Sequence, residues 1–78
     1  MSFDLNYAMV YFRQVGLYAE IRDGKLVVKN GDRWMVLREV IDELYYVVDS
    51  HPDPGYVGQI LDLDQIVSLL KSYSFGAI

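Results

Sequence analysis

Cysteine is absent from this 78-residue chain, histidine occurs once and proline twice. No apolar run approaches the roughly 18 residues of a membrane-crossing helix. Each absence removes something. Without cysteine there is neither a disulfide nor a thiolate cluster, and the lone His51 cannot build a standard zinc site, so no cofactor is implied. The missing thiols fit a reducing compartment, and Met1-Ser2-Phe3-Asp4 has no basic region ahead of a hydrophobic core. A soluble, cytoplasmic protein with no membrane association is expected. Basic charge is also scarce, with 7 Lys and Arg against 11 Asp and Glu for a net charge of −4. That deficit disfavours general nucleic-acid binding.

Apolar residues, by contrast, are plentiful: 53% of the chain is hydrophobic and seven residues are tyrosine, which argues against disorder. The length predicts a single domain over residues 1–78. Area scaling gives about 4,900 Å² of folded surface against about 13,000 Å² unfolded. If about 60% of the hidden area is apolar, burial contributes about 120 kcal/mol, and ordering at ~1.5 kcal/mol per residue costs about the same. Such a balance makes self-association a serious expectation.

Helical spacing of Leu5, Ala8, Met9, Phe12 and Val15 predicts a helix from Asp4 to Val15, capped by Asp4 and stopped by Gly16. Tyr7, Val10 and Tyr11 form a second apolar stripe that one core does not need. Asp23-Gly24 and Asn30-Gly31 then signal two tight hairpins joining strands near 17–22, 25–29 and 32–37. Two-residue turns set Ile21 opposite Leu26, Ala19 opposite Val28, Leu26 opposite Met35 and Val27 opposite Trp34. Alternation puts Ala19, Ile21, Leu26, Val28, Met35 and Leu37 on a core side, and Tyr18, Glu20, Arg22, Lys25, Val27, Lys29, Trp34 and Val36 on the reverse.

From Leu37 to Ser50 the spacing of Leu37, Val40, Ile41, Leu44, Tyr45 and Val48 favours a helix, with a fourth strand at about 44–49 as the alternative. Residues 51–58 read as a loop. Asp62 and Gln65 form a D-x-x-Q capping box ahead of a final helix from about 63 to 73. The expected fold is α+β: an N-terminal helix, a three-stranded antiparallel meander, and one or two C-terminal helices on one sheet face.

Chemistry is thinly represented. Asp49, His51 and Asp53 alternate through the loop and are weak candidates for a divalent metal, with ordinary loop composition the simpler explanation. Asp62 and Asp64 are better explained as helix-start charge than as a catalytic pair. Gly55-Tyr56-Val57-Gly58 lacks the lysine of a phosphate loop, and no serine sits in a nucleophile motif. Arg22, Lys25, Lys29 and Arg33 beside Tyr18 and Trp34 resemble a single-strand platform only superficially, because Glu20, Asp23 and Asp32 are interleaved.

Three readings of function remain, with a non-enzymatic protein-interaction module first, expected to be a homodimer using Tyr7, Val10, Tyr11, Tyr18, Val27 and Trp34. Second is an acidic inhibitor or nucleic-acid mimic presenting Glu39, Asp42, Glu43 and Asp49 on a helix to a basic partner. A metal-dependent enzyme built on the 49–53 loop comes third.

Overall fold

The computed structural model describes residues 5–41 and 45–71. Helix α1 (Leu5–Gln14) is followed by strands β1 (Tyr18–Arg22), β2 (Lys25–Asn30), β3 (Arg33–Ile41) and β4 (Tyr45–Ser50), then a single 3₁₀ turn at Pro54–Tyr56, β5 (Ile60–Asp62) and helix α2 (Leu63–Lys71). The strands form one antiparallel sheet in the order β1-β2-β3-β4-β5. The fold is α+β, as expected, but the meander has five strands rather than three.

Helix α1 ends where its glycine dictates. Gly16 adopts φ +93°, the Leu17 amide donates to the Phe12 carbonyl at 2.9 Å and the Gly16 amide to Arg13 at 3.1 Å. This is the Schellman arrangement, in which a left-handed residue lets the last carbonyls find donors. The anticipated cap, Asp4, lies outside the described residues. At the start of α2 the capping box forms in both directions: the Gln65 amide donates to the Asp62 carboxylate at 2.8 Å and the Asp62 amide to the Gln65 side-chain oxygen at 2.9 Å. Of the expected 63–73 span, 72 and 73 lie outside the described residues.

The first hairpin has the anticipated register, Ile21 opposite Leu26 and Ala19 opposite Val28. Asp23 and Gly24 both take positive φ, as a type I′ turn requires. The second hairpin is shifted by two residues. Leu26 faces Leu37 rather than Met35, and Val27 faces Val36 rather than Trp34, which lies opposite Lys29. Gly31 and Asp32 occupy the turn while Asn30 pairs with Arg33, since a two-residue loop with glycine first is as favourable as Asn-Gly. An even shift leaves the two faces unchanged, so the sorting of side chains holds.

The favoured helix over 37–50 is a correction: β3 continues to Ile41 and β4 occupies 45–50, close to the alternative strand. Tyr46, Val47 and Val48 are buried at three successive positions, which a one-sided helix cannot do and a strand sheltered on both sides can. Pairing of Leu37 with Val48 and of Tyr46 with Leu61 extends the core across the sheet. The short β5 lies just past the 51–58 stretch that reads as loop, where no strand is anticipated, and α2 is the one C-terminal helix among the described residues.

Both helices pack on the same sheet side. Ala8 and Phe12 of α1 and Ile66 and Leu70 of α2 join Ala19, Leu26, Val28, Met35, Leu37, Tyr46, Val48 and Leu61 in one core. Ile21, assigned to this side, remains 37% exposed on the edge strand. Edge β1 is itself managed: the Arg13 guanidinium donates to the Ala19 carbonyl at 2.9 Å, covering an acceptor that would invite another strand. No helix among the described residues is long and apolar enough to cross a membrane.

Candidate interaction surface

With both helices on one side, the other side of the sheet carries no helix among the described residues. Antiparallel register arranges its first three strands in rows. Tyr18, Lys29 and Trp34 form the row nearest the second hairpin turn, and Glu20, Val27 and Val36 form the next. Arg22 and Lys25 begin a third row near the first turn. Arg38 and Asp49 continue its charge: Asp49 accepts from Lys25 at 3.2 Å and lies 3.5 Å from Arg38. The surface is therefore an apolar centre at Val27 and Val36 between an aromatic flank and a charged one.

Tyr18 is 49% exposed and Trp34 37%, whereas Val27 and Val36 are half-buried. On the far strands Val47 is only 5% exposed, while its partner Ile60 is 52% exposed. The Lys29 ammonium sits 5.5 Å from the centre of the Tyr18 ring, within cation–π range. The Tyr18 hydroxyl donates to Glu20, and Arg22 pairs with the same carboxylate. Those contacts, the Tyr18 hydrogen bond foremost, hold the Glu20 carboxyl below its ordinary pKa, while the same bond raises that of Tyr18. Among the described residues of the first four strands, four cations (Arg22, Lys25, Lys29, Arg38) stand on this face against two carboxylates (Glu20, Asp49), a local +2 on a chain of net charge −4.

The second stripe of α1 is divided. Tyr7 and Val10 are exposed, but Tyr11 is partly buried against the core and reaches α2 through a 3.4 Å contact of its hydroxyl with Asp64. Partial burial, then the nearby Asp64 carboxylate, push the Tyr11 hydroxyl above its ordinary pKa. Its role here is to tie the helices together, and Asp64 takes part in that tie.

The proposed acidic helix face does not exist as a helix. Glu39 falls in β3, Asp49 in β4 is engaged by Lys25 and Arg38, and Asp42 and Glu43 lie outside the described residues. The loop triad is likewise dispersed into separate duties. Asp49 serves the ion pairs, His51 Nδ1 accepts the Asp53 amide at 2.9 Å, and the Asp53 carboxylate accepts the Gly55 amide at 2.9 Å to start the 3₁₀ turn. Among the described residues no three His, Asp or Glu side chains come together in a group able to hold a metal ion.

Two residues had roles that their local sequence hides. Asn30 donates its side-chain amide to the Leu70 carbonyl at 2.6 Å, and Arg33 donates to the Leu69 carbonyl at 3.3 Å. Together they satisfy the last turn of α2 from the second hairpin, while Lys71 caps the end of α1 through the Val15 carbonyl at 2.8 Å. Arg33 was grouped with a basic patch, yet it serves a helix end.

A second concavity, about 490 Å³, lies beyond the aromatic row between the second hairpin, the 51–56 loop and the last turn of α2. His51 packs against Tyr56 there with ring centroids 4.6 Å apart. These features define an α+β fold whose five-stranded antiparallel sheet has, among the described residues, both helices on one face. No protein-family model, curated protein or solved structure matches the chain.

Proposed function

We propose that this protein is a small non-enzymatic interaction module that associates with a second copy of itself through the open face of its sheet. The observation that carries this reading is the pair of half-buried valines, Val27 and Val36, left between an aromatic and a charged flank on the sheet face that has no helix among the described residues. A two-fold axis along the Glu20–Val27–Val36 row reverses the strand direction. Tyr18 of each copy then lies over the partner's Arg22 and Trp34 over the partner's Arg38, with Lys29 over the partner's Lys25, Glu20 against its own counterpart, and the valines closing the centre. Sheets packed face to face in this manner keep their strands roughly aligned.

The residual positive charge of each face opposes association weakly, so added salt leaves the dimer unchanged or tightens it. An acidic partner would behave oppositely and dissociate as salt rises. Sedimentation equilibrium over a concentration series tests the reading: a reversible dimer that Trp34→Glu converts to monomer and Val10→Glu leaves intact is expected. A monomer at every concentration, or a dimer indifferent to Trp34→Glu, overturns it.

A further inference from the structure

The concavity beside the second hairpin has a composition that selects a ligand class. Its lining includes the aromatic residues Trp34 and Tyr56 and the charged residues Asp32, Asp53 and Arg33. The Arg33 guanidinium donates to the Leu69 carbonyl of α2, which holds it toward that helix end and leaves the two carboxylates in excess by one charge. Asp32 makes no hydrogen bond or ion pair among the described residues. Asp53 spends one carboxylate oxygen on the Gly55 amide. The loop wall is fixed in advance by that bond, by the Asp53 amide on His51 and by the His51–Tyr56 ring contact.

We propose that this cavity is a binding site for an organic cation, a quaternary or methylated ammonium group carried on a short apolar body. Aromatic faces attract such a cation through the ring quadrupole, and two carboxylates supply the remaining field without demanding a hydrogen-bond donor. At about 490 Å³ the space falls within the range of small-molecule sites. An anionic ligand would meet Asp32 and Asp53, and a purely apolar one would leave both carboxylates desolvated without compensation.

The chain's one tryptophan is Trp34, so its fluorescence reports the site directly. The experiment titrates choline chloride, and separately its uncharged isostere 3,3-dimethylbutan-1-ol, into dilute monomeric protein at ionic strength held constant with sodium chloride. Dilution keeps the outcome separate from self-association. Saturable quenching by choline is expected, with the isostere at least about tenfold weaker. Asp32→Asn weakens choline several-fold while leaving the thermal unfolding midpoint in place. Equal affinity for choline and the isostere overturns the proposal, as does no saturation up to about 50 mM choline, well above the millimolar range of weak sites. Choline binding unaffected by Asp32→Asn overturns it as well.

Discussion

The two faces of the sheet share the same strands and the same hydrogen bonds, yet they resolve their apolar residues differently. On the helical side Leu26, Val28, Met35, Leu37 and Val48 are fully enclosed by α1 and α2. On the open side Val27 and Val36 occupy the intervening positions and are sheltered only in part, with Tyr18, Trp34 and Ile60 exposed. The difference lies in what each side has available to cover it. Five strands need a layer on both faces to bury every inward valine, and the described chain supplies helices for one.

Substitutions on the two faces separate folding from association. The largest effect is expected on the covered face: Phe12→Ala removes a ring at the centre of the core and costs about 3–5 kcal/mol, read from the urea midpoint. Loss of that size consumes most of the stability of a small domain, so the variant unfolds well below the wild-type temperature. Asn30→Ala leaves the Leu70 carbonyl without its donor and is expected to cost about 1–2 kcal/mol. Faster amide exchange confined to the last turn of α2 distinguishes this from general loosening.

Gly16→Ala tests a backbone requirement alone, because an added Cβ meets nothing within 4 Å while φ is +93°. About 1 kcal/mol is expected from the left-handed conformation. On the open face Trp34→Glu is expected to cost the monomer less than Phe12→Ala, since Trp34 is 37% exposed whereas Phe12 is fully buried. A large stability loss there would mean that the open face has a folding role after all.

The smallest effect is a titration. Tyr18 and Arg22 lower the pKa of Glu20 in the folded state, so their contribution is present above the unfolded glutamate pKa and is lost as pH falls through the folded value. A carboxyl-carbon NMR titration should place Glu20 below ordinary glutamates, and Tyr18→Phe should move it upward. An unchanged midpoint in Tyr18→Phe removes the hydroxyl from the account.

Elements announced by periodicity and by turn chemistry were legible in the sequence. The α1 stripe, the capping box of α2 and the first hairpin register all depend on residues within a few positions of one another. Residues 37–50 were misread because Leu37, Tyr45 and Val48 satisfy helical spacing and strand composition alike, and the pairing that decides between them joins β4 to β3 and to β5 across the intervening loops. At the second hairpin the Asn30-Gly31 signal names the wrong two-residue turn, because Asn30 instead pairs with Arg33 on the strand and its side chain reaches Leu70 forty positions away. That Tyr18, Val27 and Trp34 share one sheet face was readable from alternation alone. The place of Tyr11 was not, because its bond to Asp64 depends on where α2 packs. Of the acidic row, Glu39 and Asp49 lie on strands rather than on the expected helix, and Asp42 and Glu43 lie outside the described residues.

Because the chain has no native cysteine, one introduced thiol can report the central claim directly. Val27 lies on the proposed two-fold axis, so Val27→Cys brings two thiols face to face across the dimer, whereas Val10→Cys places them on the far side of the helical layer. Under mild oxidation the account predicts a disulfide-linked dimer from Val27→Cys that forms much faster than any from Val10→Cys and disappears when Trp34→Glu is added. Equal rates for the two single variants, or cross-linking that favours Val10→Cys, would contradict it.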